Sequence, residues 1–247
     1  RVFFRIGTKP VKRIIGAVAG VEYFQRERNM SVESTLSDGN GLFATKLPPN
    51  EFALKVIEII RSEGDQGLRR IITALDGSPP DSFEVPQSKI DSAFESLDPR
   101  SVSALELAVE QVRAFQSRAL PKSWNDSKRN LGERVTPLKS VAAYVPAGTA
   151  PLASTVIMTV VPAQVAGVEE IIVVTPATGN STPHPAVLTA AKIAGATRVF
   201  TIGGAQAIAA MAYGTETVPA VDLICGPGNV WVTAAKKLVY GDVGIDG

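Results

Sequence analysis

Three turns in the second half of the chain combine glycine with a side chain that could bind a small molecule. The first runs from Tyr144 to Pro151, the second is Gly203-Gly204-Ala205-Gln206-Ala207, and the third is Gly226-Pro227-Gly228-Asn229. Glycine lets the main chain approach a ligand closely. The ring of Tyr144 could stack on a flat heterocycle, and the amide of Gln206 could bind a ribose or an amide group. The turns therefore predict a small-molecule site.

Each of these features also has an ordinary structural explanation. Glycine at a strand-to-helix turn commonly just makes the turn, Asn229 is a good helix cap, and a tyrosine such as Tyr144 is more often part of a core. The presence of three such turns favours a functional explanation, because turns on successive units of one sheet converge on the same edge. The dinucleotide motif G-x-G-x-x-G is missing from all three turns, so no motif identifies the ligand.

The elements that would position these turns alternate regularly between strand and helix. Strands are predicted at 141–145, 170–175, 198–202 and 221–225, and helices at 154–166, 185–194, 205–213 and 229–239. This alternation predicts an α/β fold, a parallel sheet with helices on both faces and a binding crevice at the carboxyl ends of its strands.

The first half of the chain has a different pattern. Apolar residues recur at helical spacing in two consecutive pieces over 52–75, and again over 88–115 with a break at Asp98-Pro99. A short helix is predicted near 13–28, and a polar linker at 122–134. We therefore expect a mainly helical region, residues 1–134, that is part of an incomplete first domain, followed by an α/β domain, residues 135–247.

Composition limits the kinds of partner and site. Lys and Arg total 25 against 24 Asp and Glu, a net charge of +1, which favours neither nucleic acid nor an anionic membrane as a partner. The most apolar stretch, 156–174, is interrupted by polar residues and is too short to span a membrane. One cysteine, Cys225, and one histidine, His184, cannot form a disulfide or a usual zinc site. We expect a cytoplasmic protein in which His184 is a surface or capping residue.

The turns also carry a resemblance to a known family. Residues 144–154, 161–167, 203–216 and 226–236 are similar, in order and spacing, to histidinol dehydrogenase. Gly64-Asp65 and Leu75-Asp76-Gly77 resemble the opening region of that family more loosely. The specific part of the match covers about half of the chain.

The resemblance implies a function in histidine biosynthesis. Enzymes of this family are cytoplasmic homodimers that oxidise L-histidinol to L-histidine through an aldehyde, in two NAD-dependent steps, with a bound zinc ion. It implies that residues 135–247 form a Rossmann-like NAD-binding domain with NAD contacts at Tyr144, Gln206 and Asn229. The zinc ligands and the catalytic residues of the family would follow Gly247, so we expect an N-terminal part of the enzyme that is inactive alone.

Other functions remain open from the sequence. Ala142-Ala143 stands where the family usually has Gly-Leu, so the substrate could be another small amino or sulfonated alcohol. A second alternative is a nucleotide-binding or interaction module without catalysis. A third is a domain whose glycine turns bind a phosphorylated metabolite.

Overall fold

A computed structural model describes residues 41–148, 150–178 and 182–246. Its helices are α1 (Pro49–Asp76), α2 (Gln87–Ser96), α3 (Pro99–Ala119), α4 (Ala153–Val165), α5 (Pro185–Ala194), α6 (Gly204–Tyr213) and α7 (Val230–Val239). Its strands are β1 (Trp124–Asp126), β2 (Leu131–Glu133), β3 (Ser140–Tyr144), β4 (Glu170–Thr175), β5 (Arg198–Thr201), β6 (Leu223–Cys225) and β7 (Gly244–Ile245). The helix predicted near 13–28 lies outside the described residues. None of the described helices combines the length and apolar character needed to cross a membrane.

Strands β3 to β7 form a parallel sheet in the order β5-β4-β3-β6-β7. The chain enters at the central strand β3, moves outward to β4 and β5, and then crosses to β6 and β7 on the other side. The direction of the strand order therefore reverses between β3 and β6, the place where α/β sheets commonly bind ligands. The predicted α/β fold with a parallel sheet is confirmed.

Two hydrophobic clusters cover the two faces of the sheet. Helices α1, α6 and α7 share one cluster, and α4 and α5 contribute to the other, with α2 and α3 packed outside them. Because side chains alternate along a strand, Ala142 and Tyr144 of β3 belong to the first cluster, and Val141 and Ala143 to the second. Tyr144 is thereby directed toward the face that carries α6.

Helix α1 is divided at Gly64, which has φ 54° and ψ −131°. This break agrees with the two consecutive helical pieces expected from the sequence. Glu216, from the loop after α6, accepts a hydrogen bond through Oε2 from the main-chain N–H of Asp65 at 2.7 Å. Thr217 Oγ1 donates to Asp65 Oδ1 at 3.0 Å. The φ of Gly64 lies in a region that L side chains rarely adopt, and a Cβ there would also displace the Glu216 carboxylate, so glycine is favoured where the two segments meet.

The structure contains two features that the sequence analysis missed. The predicted linker at 122–134 holds an antiparallel hairpin of β1 and β2, whose turn is fixed by Asp126 Oδ1 accepting from the N–H groups of Lys128 and Arg129. The two-residue strand β7 was also missed. Both are too short to give a periodic apolar signal. The strand predicted at 221–225 begins at Leu223, because the N–H of Val221 donates instead to Met211 O at 3.0 Å.

A short extended segment covers the outer edge of β5. The N–H of Val85 donates to Val199 O at 2.8 Å, and the N–H of Thr201 donates to Phe83 O at 2.7 Å. Between them Glu84 binds Arg198 of β5, with Nε–Oε1 at 2.9 Å and Nη2–Oε2 at 2.7 Å. Val199 O and the N–H of Thr201, on the outer edge of β5, are thus bonded within the chain.

Candidate functional site

The three glycine turns meet around Tyr144, at the carboxyl end of β3. The Tyr144 hydroxyl accepts a hydrogen bond from the N–H of Gly204 at 3.0 Å. On its other side, the main-chain oxygen of Tyr144 lies so close to Gly226 that a Cβ there would overlap it. Tyr144 therefore contacts the second turn through its side chain and the third turn through its main chain.

The ring of Tyr144 is buried rather than open to solvent. It is 3% exposed and packs among the core residues of the α6 face. Burial raises the pKa of its phenol, and the nearby Asp76 carboxylate adds to this rise. In this structure Tyr144 acts through a protonated hydroxyl that holds the second turn, and its ring faces are covered.

Gln206 lies in the first turn of α6 and is 2% exposed. Its Oε1 atom is buried and has no hydrogen-bond partner among the described residues. A Cβ on Gly204, whose φ is +69°, would lie 2.6 Å from this oxygen, so the glycine leaves the amide the room it needs. Leaving a buried acceptor unpaired costs about 1–3 kcal/mol, and native proteins rarely do so without a reason. Gln206 therefore offers an unused acceptor beside the Tyr144–Gly204 contact.

Asn229 caps α7 as its residue type predicted. Its Oδ1 atom accepts hydrogen bonds from the N–H groups of Trp231 and Val232, both at 3.1 Å. The oxygen is thus engaged by the helix, while the amide nitrogen is available to a ligand because Asn229 is exposed.

Lys236 and Asp246 support the third turn, and the sequence analysis did not identify them. Lys236 is 8% exposed, and its Nζ donates to Gly226 O at 2.8 Å and contacts Asp246 Oδ1. The other carboxylate oxygen of Asp246 accepts from the N–H of Gly226 at 2.7 Å. A lysine in line with the buried Val232 and Val239 of α7 was the available signal.

Two clefts flank β6. One, of about 540 Å³, lies beside the third turn and is lined by Gly226, Pro227, Gly228, Thr233, Lys236, Lys237, Ile245 and Asp246. The other, of about 630 Å³, is mostly apolar and includes Met158, Leu223 and Cys225. Burial raises the pKa of the Cys225 thiol to about 11, so it is not a nucleophile at neutral pH.

The described residues do not form a metal site. His184 caps α5, as expected, with Nδ1 accepting from the N–H of Ala186 at 3.1 Å. In residues 41–148, 150–178 and 182–246, no three His, Cys, Asp or Glu side chains are grouped to hold a metal ion. These residues therefore do not fit a zinc ion.

A family model and several known proteins that are similar to this chain point to one family. The sequence model of the histidinol dehydrogenase family matches residues 50–247. The chain is 50% identical over 199 residues to histidinol dehydrogenase of Thermus thermophilus, covering 80% of this chain and 47% of the relative. It is 44% identical over 216 residues to that of Deinococcus radiodurans, covering 87% and 49%.

A solved structure gives the same result for the fold. The crystal structure of histidinol dehydrogenase from Elizabethkingia anophelis matches with a TM-score of 0.76 and 32% identity, covering 80% of this chain and 46% of that protein. The chain thus spans about half the length of the relatives that it matches. The sequence phrases, the parallel sheet and these matches agree, and the chain belongs to the histidinol dehydrogenase family.

Proposed function

We propose that this chain is the N-terminal, NAD-binding part of an enzyme that oxidises L-histidinol to L-histidine through the aldehyde. Relatives that are 44–50% identical to it over the aligned residues are named histidinol dehydrogenases. The complete enzyme carries out the reaction in this proposal, and the present chain supplies a cofactor site without catalytic residues. In this proposal residues 135–247 form the NAD-binding domain, and residues 1–134 belong to an incomplete first domain.

The unpaired oxygen of Gln206 is the observation that carries the proposal. NAD presents ribose hydroxyl and carboxamide N–H groups, which are the donors that a buried amide oxygen lacks. When bound, NAD supplies the acceptor for the hydride removed from the alcohol carbon. In the chain itself, Gln206 accepts a hydrogen bond from the cofactor and Asn229 donates one through its amide nitrogen. Tyr144, the third NAD contact that the family resemblance implies, also fixes the main chain of Gly204 beside them through its hydroxyl.

The remaining parts of the proposal rest on the family resemblance. We propose a zinc ion in the complete enzyme, with no ligand from this chain, and a cytoplasmic homodimer as the working form. Another small amino or sulfonated alcohol is the alternative substrate, and the complete enzyme distinguishes the two by comparing kcat/KM for L-histidinol with that for simpler amino alcohols.

Calorimetric titration of the chain with NAD tests the cofactor site. Gln206→Leu removes the buried oxygen that has no partner, so we expect an unfolding midpoint at or above that of the wild type and an NAD affinity at least about ten-fold weaker. Asn229→Asp keeps the oxygen that caps α7 and replaces only the amide nitrogen, so it tests the donor separately from the cap.

The possible results lead to different conclusions. Equal NAD affinity in the wild-type chain and Gln206→Leu would contradict the role of Gln206. Absence of NAD binding by the wild-type chain would contradict the proposal that this part of the enzyme holds the cofactor by itself. Displacement of bound NAD by inorganic phosphate would instead support a site for phosphorylated metabolites.

A further inference from the structure

We propose that Lys236 and Asp246 are positioning residues that hold the Gly226–Asn229 turn in the shape needed to bind the cofactor. This inference rests on the proposed function, because it concerns the turn that carries Asn229. The two residues are ten positions apart, on α7 and just after β7, and they meet at Gly226.

Gly226 is held at both of its main-chain polar groups. Its N–H donates to Asp246 at 2.7 Å, and its carbonyl accepts from Lys236 at 2.8 Å. Both main-chain groups of this residue are therefore bound by side chains, at the point where the chain leaves β6. Regular sheet pairing cannot supply these bonds, because Gly226 has a φ of +110°.

The lysine of this pair is buried, which is unusual for its residue type. Lys236 is 8% exposed, and a charge removed from water in this way needs a charged partner and further hydrogen bonds. Asp246 supplies the charge and Gly226 O supplies the additional acceptor. Lysines are mostly exposed in proteins. A lysine that is buried and aimed at a turn, rather than extended into solvent, indicates a specific task for its ammonium group.

A short turn links Gly226 to Asn229. The turn starts at Gly226, where glycine is needed because a Cβ would overlap the main chain of Tyr144. It ends at Asn229, which caps α7. Lys236 lies on the same helix, so its bond to Gly226 closes a loop of main chain and side chain. The pair thereby connects β6, α7 and the end of β7 at one point, and Asn229 is held relative to Tyr144.

The test compares Lys236→Met with Lys237→Met in the 247-residue chain. Lys237 lines the same cleft, is exposed and makes none of these contacts, so its replacement gives the same loss of charge without loss of the clamp. We expect Lys236→Met to weaken NAD binding about ten-fold, the effect of losing one main-chain hydrogen bond, and Lys237→Met, which loses the charge alone, to weaken it clearly less.

A stability control separates positioning from a general loss of structure. Leu188→Ala on α5 removes a core side chain that is 3% exposed on the opposite face of the sheet. It should lower the unfolding midpoint while keeping the NAD affinity of the wild type. A ten-fold weaker affinity in Leu188→Ala as well would show that the effect of Lys236→Met follows stability, and would overturn the inference.

Amide hydrogen exchange over residues 226–232 tests the clamp independently of NAD. Faster exchange there in Lys236→Met and Asp246→Asn, but not in Lys237→Met, is the expected result. Wild-type exchange and wild-type affinity in Lys236→Met would overturn the inference while leaving the proposed function intact. If the wild-type chain did not bind NAD, the proposed function would fail, and exchange would still decide whether the pair holds the turn.

Discussion

Helix α6 and helix α3 show two different ways of covering this sheet. Seven of the ten residues of α6 are buried, and the helix lies between the sheet and its neighbours α1 and α7. Of the 21 residues of α3 only Val109 is buried, and Leu107 and Phe115 are 57% and 70% exposed. One helix is a core element, and the other is an outer layer.

The difference shows where this fold requires precision. The cofactor residues proposed above depend on two close approaches to Tyr144. The main chain of Gly204, at the start of α6, binds its hydroxyl, and the main chain of Gly226 lies against its carbonyl oxygen. In a closely packed interior, a change of even one methylene is felt by the surroundings. The outer surface of α3 has no such requirement. Truncation of a large apolar side chain to alanine should therefore change the free energy of unfolding very differently in the two helices.

The largest effect is expected from truncation in α6. Ile208 is 0% exposed, so Ile208→Ala should reduce the free energy of unfolding by about 3.5 kcal/mol, through lost burial and a residual cavity. Leu107→Ala on α3 should change it by no more than about 0.5 kcal/mol. Urea denaturation of both variants measures the difference, and similar losses would show that α3 is buried in solution.

The next effect compares two glycines with nearly the same φ. Gly226 and Gly241 have φ of 110° and 106°, but only at Gly226 would a Cβ overlap another part of the chain. We expect Gly241→Ala to cost about 1 kcal/mol from backbone strain. Gly226→Ala should cost about 3 kcal/mol, since overlap with Tyr144 adds to that strain.

The same urea titrations give both values for the glycine pair. Equal destabilisation by the two alanine substitutions would mean that the Tyr144 main chain moves aside freely. That result would contradict the close contact between the first and third turns.

A smaller effect is expected where α1 meets the loop after α6. Glu216→Ala removes the acceptor for the N–H of Asp65 and should cost about 1 kcal/mol, as for loss of a helix cap. Glu216→Gln keeps an oxygen at this place and should retain part of that stability. Thermal unfolding monitored by circular dichroism gives both values, and an unchanged midpoint in Glu216→Ala would argue against the cap.

The smallest effect concerns pH and the opposite, amino end of the sheet. Hydrogen bonds from Ser140 and Lys139 lower the pKa of Asp222 below its usual 3.8. A lowered carboxyl pKa stabilises the folded state above the unfolded pKa, and this contribution is lost as the pH falls through the folded pKa. Asp222→Asn should therefore be less stable than the wild type at pH 7, by an amount that shrinks below about pH 4.

Unfolding midpoints at a series of pH values measure this change. A difference between Asp222→Asn and the wild type that stays constant from pH 7 to acid would contradict the charge effect. It would mean that Asp222 stabilises this end of the sheet through its shape and not through its charge.

The sequence predicted the repeated elements better than the contacts between them. Strands such as β4 and helices such as α7 are long enough for apolar spacing to reveal them, and the cap at Asn229 follows from its residue type. The bond between Glu216 and Asp65 joins residues 151 positions apart, and no local pattern records it. The Lys236–Asp246 pair was missed because it depends on β7, which has two residues.

The covered edge of β5 restricts where a further strand could join the sheet. Val85 and Phe83 already bind Val199 O and the N–H of Thr201 in β5, so a further strand cannot pair with these groups without displacing that segment. Among the described strands, β7 is the other edge. An additional strand, from the same polypeptide or from another, would therefore join this sheet beside Asp246, next to the third turn rather than far from it.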